Sequence, residues 1–196
     1  MELIFATHNK HKLEEVKHIL NHKVDLLSLT DVSCFEEIPE NEETLEGNAI
    51  YKAQYIHNKF QRNCFSDDTG LEVVALNGAP GVYSARYGGE GHNDELNRAK
   101  LLNDLKNKED RSAQFRTVVA LFWEGSMHLF EGIIEGEISF EERGTNGFGY
   151  DSLFVPKGYN RTFAQMTEEE KNGISHRGRA IEKLSLFIDK QMGSVD

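Results

Sequence analysis

Two aspartates stand side by side in Phe65–Gly70, FSDDTG. A carboxylate there suits magnesium, which takes one or two carboxylates plus phosphate oxygens and water, or it suits proton abstraction. The simpler reading is a turn, because Asp, Thr and Gly satisfy local backbone groups. Successive strand residues point to opposite faces, so at most one of Asp67 and Asp68 serves a given site. Upstream, Thr7, His8, Asn9, Lys10, His11 and Lys12 follow an apolar run and open a helical pattern. Helix N-termini bind phosphate, and the lysines add charge, yet no P-loop and no Rossmann glycine pattern is present. A solvated helix start is the plain alternative. Asn48 and Lys52 lie four apart on one helix face, with Glu40 beside Pro39 before that helix. Downstream, GTNGFGYD sets Phe148 and Tyr150 among glycines, either as a stacking platform for a base or as plugs for the core. Lys171, His176 and Arg177 gather donors suited to a carbonyl or a phosphate, or make a solvated basic turn.

Alternating and helical periods supply the elements that must position these groups. ELIFA (2–6) reads as a buried strand, and Leu13, Val16, Ile19 and Leu20 line one face of the helix after it. VDLLSL (24–29) is a second strand. A long helix runs from about Glu42 to Phe60 on Leu45, Ala49, Ala53, Ile56 and Phe60. NCFS and LEVVAL read as strands flanking the DDTG turn, with a tight turn at NGAPG. Asn93 caps a helix whose expected inner face is Leu96, Ala99, Leu102 and Leu105. AQFRTVVALFW and MHLFEGIIEGEIS form a long hairpin, and SLFV is a further strand. Thr167 and Glu170 make a capping box, and Ser175 caps a last helix with Ile181, Leu184, Phe187 and Ile188 inward. The expected fold is α/β, a mixed sheet with helices packed on it.

Length and charge narrow the function. The chain has 196 residues, enough for one domain over 1–196, in two lobes around one sheet. A net charge of −11 argues against nucleic-acid binding, while the two local basic clusters suit a small phosphate compound. No apolar run reaches the ~20 residues of a membrane helix, and the N-terminus lacks a signal-peptide pattern, so a cytoplasmic protein is expected. Cys34 and Cys64 have neither redox nor zinc spacing. His18 and His22, four apart, lack the H-E-x-x-H context of a zinc helix.

Taken in order, T-x-N-x-x-K (7–12), N-A-x-x-K-A (48–53), D-D-T-G-L with G-A-P-G-x-Y-S-A-R-Y (67–87), G-F-G-Y-D (147–151) and S-H-R (175–177) resemble the inosine triphosphate pyrophosphatase, or Ham1-like, family. The resemblance runs from Thr7 to Arg177. It implies an elongated mixed sheet, two lobes with a central cleft, a homodimer, and magnesium-dependent hydrolysis of ITP, dITP and XTP to monophosphate and pyrophosphate. By the same resemblance, Thr7 to Lys12 and Lys52 bind phosphate. Asp68 is catalytic and, with Glu40, holds the metal, and Thr69 contacts substrate. Phe148, Gly149, Tyr150 and Asp151 form the base loop, and Lys171, His176 and Arg177 recognise the base. One departure is His8, where many members carry glycine. The alternatives are a related pyrophosphatase with another modified-base preference and a nucleotide-binding protein without turnover.

Overall fold

Residues 1–20, 23–89 and 91–193 are described by the computed structural model. The strands are β1 (Glu2–Phe5), β2 (Asp25–Leu27), β3 (Cys64–Val73), β4 (Pro80–Gly81), β5 (Ser112–Trp123), β6 (Ser126–Ile138) and β7 (Phe154–Pro156). The α-helices are α1 (Lys10–Leu20), α2 (Leu45–Phe60), α3 (Asp94–Asp104), α4 (Glu168–Ile174) and α5 (His176–Met192). The strand order is β2-β1-β3-β5-β6-β7, with β4 paired to β3. β1 pairs in parallel with β2 and β3, whereas β3 with β4 and β6 with β7 are antiparallel, so the sheet is mixed. β5 and β6 are joined through Glu124 and Gly125, both at positive φ (47° and 81°), the backbone that a tight two-residue hairpin turn requires.

Two compact units divide the chain. The first comprises Met1–Asp68, Thr117–Gly132 and Arg177–Asp196; the second comprises Thr69–Arg116 and Ile133–His176. In the first, strand alternation sorts apolar residues onto two faces. Leu3, Phe5, Phe65, Val119 and Leu121 join Val16 and Leu20 of α1 and Ile181, Leu184 and Ile188 of α5 in one core. Ile4, Cys64 and Phe122 turn to the other face, where Ile56 of α2 meets them. In the second unit, Leu71, Val73, Phe115, Ile138 and Phe154 pack with Leu101 and Leu105 of the α3 segment and with Tyr150 and Phe163.

The turn expected at Asp67–Gly70 does not form. β3 runs unbroken from Cys64 to Val73, and Asp67 and Asp68 lie in mid-strand. Both carboxylates find partners on other elements, so tertiary contacts override the local preference. Gly70 is present for close approach rather than for a turn: a Cβ there would lie 2.6 Å from the carbonyl oxygen of Gly81 on β4. Because that neighbour is backbone, Gly70→Ala is expected to cost about 1–3 kcal/mol. A urea-unfolding midpoint equal to wild type would refute this account of Gly70.

Three boundaries also differ from expectation. LEVVAL leaves the strand after Val73 and closes as a short 3-10 helix, Val74–Leu76. SLFV and VDLLSL shorten to Phe154–Pro156 and Asp25–Leu27. In α3 the inward face is Asn97 and Leu101, leading to Leu105, whereas Leu96 is 52% exposed. Asn97 turns inward because its side chain donates to the Ala85 carbonyl (3.1 Å) and accepts from the Gly88 N–H (2.6 Å).

Candidate active site

In the first unit, strand alternation along β3 decides which aspartate does what. Cys64, Ser66 and Asp68 share one face, and all three reach α2. The thiol of Cys64 donates to the Ala53 carbonyl, the Ser66 hydroxyl donates to the Ala49 carbonyl, and Asn48 Nδ2 donates to Asp68 Oδ2 at 3.0 Å. Asp67 takes the opposite face. Lys12 Nζ of α1 donates to its Oδ1 at 3.0 Å, and Arg177 Nε of α5 donates to its Oδ2 at 3.0 Å. Arg177 NH1 also donates to Glu15 of α1. Asp67 and Asp68 are 1% and 7% exposed.

Lys52 connects these groups. Its Nζ donates to Glu40 Oε1 at 2.5 Å and to the Asp67 carbonyl at 2.8 Å, and it stands 3.8 Å from Asp68 Oδ1. It is 6% exposed, so it is neither a surface lysine nor one snorkelling from the core edge. Asn48, one turn earlier on α2, also accepts the Glu42 N–H through Oδ1 at 3.0 Å. That bond ties the segment carrying Glu40 to the helix that faces Asp68.

The two carboxyls are tuned in opposite directions. Measured against the ordinary carboxylate range, burial shifts Asp68 upward, and Lys52 and Lys12 only partly offset that. Burial also opposes ionisation of Asp67, but Lys12, Arg177 and Lys52 together outweigh it and hold Asp67 well below that range. For Lys52, burial works against the charge, and Asp68, Glu40 and Asp67 more than restore it. Glu40 is lowered: burial pushes its pKa up, and Lys52 outweighs that. Asp67 is therefore held as a charged counter-ion, whereas burial disfavours the charged form of Asp68.

The Thr7–Lys12 loop leads into α1 through its own side chains. Thr7 Oγ1 accepts the Asn9 N–H, and Asn9 Oδ1 accepts the Lys12 N–H, each at 3.1 Å, the latter an N-cap bond. Lys10 and His11 are exposed on the first turn. His8 does what a glycine cannot: its Nε2 bonds the Glu36 carbonyl at 2.9 Å and so ties this loop to the segment leading to Glu40. Glu15 escaped notice in the sequence. Its signal was a place three residues after Lys12, on the buried side of an amphipathic helix.

In the second unit, the glycine-rich loop separates its two aromatics. Tyr150 is buried, with its hydroxyl donating to the Ser84 carbonyl at 2.7 Å, so it plugs the core. Phe148 is half-buried, and Lys171 Nζ stands 5.0 Å from its ring centre. Asp151 Oδ2 accepts from Lys171 Nζ at 2.7 Å and from the Phe148 N–H at 3.0 Å. Gly147 has φ +75°, and a Cβ there would meet Asp151 Oδ2 at 2.1 Å. The His176 ring stacks on Phe115 at 4.5 Å and 12°. Thr69, the residue after Asp68 on β3, is half-buried at the start of this unit.

The expected groups therefore assemble as two sets. Lys12, Lys52, Glu40 and Asp68 belong to the first unit, together with Arg177, whose guanidinium engages Asp67 and Glu15. Lys171 and His176 belong to the second with the Phe148–Asp151 loop. Among the described residues no cluster of three or more His, Cys, Asp or Glu side chains has the arrangement of a metal site. His22, of the dismissed His18–His22 pair, lies outside the described residues. Among those residues, too, no helix is long and apolar enough to cross a membrane.

The Ham1 family profile matches residues 3–187. The chain belongs to the Ham1 family. It is 52% identical over 184 residues to the dITP/XTP pyrophosphatase of Flavobacterium johnsoniae, covering 94% of this chain and 96% of that one. It is 51% identical over 190 residues to the protein of the same name from Christiangramia forsetii, covering 97% and 100%. Among solved structures, the Ham1 protein of Staphylococcus aureus superposes with a TM-score of 0.88 at 38% identity, covering 97% of this chain and all of that one. This Ham1-family chain thus has the mixed α/β fold expected of it.

Proposed function

We propose that this protein is a nucleoside triphosphate pyrophosphatase that hydrolyses purine nucleoside triphosphates with non-standard bases, ITP, dITP and XTP, to the monophosphate and pyrophosphate. The observation that carries it is the Asp68 site. A buried carboxyl with a raised pKa stands against Lys52 and Asn48, in a chain about half identical to proteins named for this activity.

Asp68 accepts the proton of the water that attacks the α-phosphorus, the α–β anhydride bond breaks, and pyrophosphate leaves. Lys12 and Lys52, with the N–H groups that open α1, carry the negative charge of the phosphates. Asn48 and Lys52 fix the Asp68 carboxylate from α2. The donor set suits magnesium: Asp68 and Glu40 offer two hard carboxylates around one lysine, and phosphates and water would complete the shell. Bound there, the ion would neutralise phosphate charge and orient the substrate.

Lys171 and His176 supply donors for the 6-oxo group shared by hypoxanthine and xanthine, and the amino group of adenine offers them no acceptor there; Arg177, expected beside them, is engaged by Asp67 and Glu15. Phe148 stacks the base, with Lys171 held beside it by Asp151. Thr69 is assigned to substrate contact, and a cytoplasmic homodimer without nucleic-acid or membrane partners belongs to the same proposal on the strength of the resemblance.

Incubation with ITP and magnesium, with separate assays for pyrophosphate and orthophosphate, tests the proposal. Pyrophosphate with IMP is the expected result. Orthophosphate with IDP, or no product, would overturn it, and ATP turnover equal to that of ITP would overturn the account of base choice.

A further inference from the structure

Helix α3 carries two charged residues to which the proposed mechanism gives no task. Asp94 lies in its first turn and Arg98 one turn later, so both project from the same face. They close on a single residue of the glycine-rich loop. Asp94 Oδ2 accepts the Gly149 N–H at 2.7 Å, and Arg98 NH1 donates to the Gly149 carbonyl at 3.0 Å. Arg98 is oriented in turn: its Nε donates to Glu142 Oε2 at 2.9 Å, and the Ser152 hydroxyl donates to that same oxygen at 3.0 Å. Gly149 sits at φ +61°, outside any strand or helix, so these bonds do for it what a ladder does elsewhere.

On the neighbouring residue, Asp151 takes the Phe148 N–H and Lys171 together. The peptide units around Phe148 are therefore held by charged side chains, Asp151 at one and the Asp94–Arg98 pair at the next. Bonds with an ionised partner are roughly twice as strong as neutral ones and directional. A half-buried ring on a loop pinned in this way has its plane set before a ligand arrives, which lowers the ordering cost of stacking.

We propose that Asp94 and Arg98 are positioning residues for base recognition: by gripping both backbone groups of Gly149 they set the pose of Phe148 beside Lys171, and so set KM and base selectivity. The proposal rests on the reading of the Phe148 loop as the base platform. Neither residue belongs to the first unit, which holds Asp68 and Lys52, so their loss leaves the bond-breaking groups in place.

The test uses Arg98→Ala, Asp94→Ala and Arg98→Lys in the full chain, with ITP and ATP as substrates and ITP binding measured by calorimetry. Arg98→Ala and Asp94→Ala are expected to raise KM for ITP about tenfold or more, with kcat held within about threefold and the ITP-over-ATP ratio of kcat/KM reduced. Arg98→Lys, with one ammonium in place of a planar fork, recovers only part of the loss. An ITP KM and selectivity ratio within about twofold of wild type would overturn the proposal. So would a joint fall of kcat and melting temperature with the ratio intact, which marks a merely structural role. The binding measurement separates this inference from the one beneath it. If wild-type protein binds ITP without turnover, the pyrophosphatase reading fails, and the clamp stands or falls on whether the alanine variants weaken that binding.

Discussion

Asp68→Asn lowers kcat for ITP by at least ~10²-fold while leaving the protein folded, with an unfolding midpoint within a few degrees of wild type. Asparagine keeps the shape of the side chain and an acceptor for Asn48 Nδ2, but it cannot take up a proton and is a poor magnesium ligand. Stability should survive because burial disfavours the Asp68 carboxylate, as its raised pKa records, so a neutral amide removes an unfavourable charge. Lys52 retains Glu40 and the Asp67 carbonyl as partners. Steady-state kinetics and a thermal melt check both halves. Turnover above about a tenth of wild type would show that Asp68 is not the base, since even the weakest general-base contributions exceed that loss.

Asp67→Asn is expected to behave in the opposite way, losing about 3 kcal/mol or more of stability. Its carboxylate is the shared counter-ion of Lys12 and Arg177, and those cations are buried or nearly so. Arg177 keeps Glu15, but the charge on Lys12 loses its partner. Activity should fall clearly less than in Asp68→Asn, through displacement of Lys12 and β3 rather than loss of the base. The sign of the pH dependence follows from the direction of the shift. Asp67 is lowered in the folded protein, so its contribution is fully present above the unfolded value of about 4 and is lost as pH falls below it. Urea midpoints from neutral to acid pH should therefore drop steeply below about pH 4 in wild type and less steeply in Asp67→Asn. A variant as stable as wild type, or one less active than Asp68→Asn, would mean the roles of the two aspartates are reversed.

Much of this site was legible before any fold was known. Thr7, Asn9 and Lys12 stood between a strand and a helix, and Asn48 and Lys52 stood one turn apart, so local geometry alone put each group to common use. The capping box of Thr167 and Glu170 appears as expected, with both bonds present. Elsewhere the local signal pointed the wrong way. Asp-Asp-Thr-Gly has turn chemistry, yet it lies in mid-strand, because Lys12, Arg177 and Asn48 arrive from three helices remote in sequence. The inward face of α3 includes Asn97 in place of the expected Leu96, because two loop backbone groups needed a partner that no apolar side chain supplies.

Residue order by itself determined the family, the mixed α/β class and the alternation that lets only one of two adjacent aspartates face Asn48. These depend on motif order and on backbone periodicity, both of which are local. Tertiary structure decided which aspartate is which. It set Asp67 between Lys12 and Arg177, which hold it in its charged form, and Asp68 beside Lys52 and near the Glu40 carboxylate, where burial is only partly offset and the charged form is disfavoured. It also gave Glu15 to Arg177, and Asp94 and Arg98 to Gly149. Those partners are 162, 55 and 51 residues apart in the chain, and no period or motif in a sequence encodes a contact across such separations.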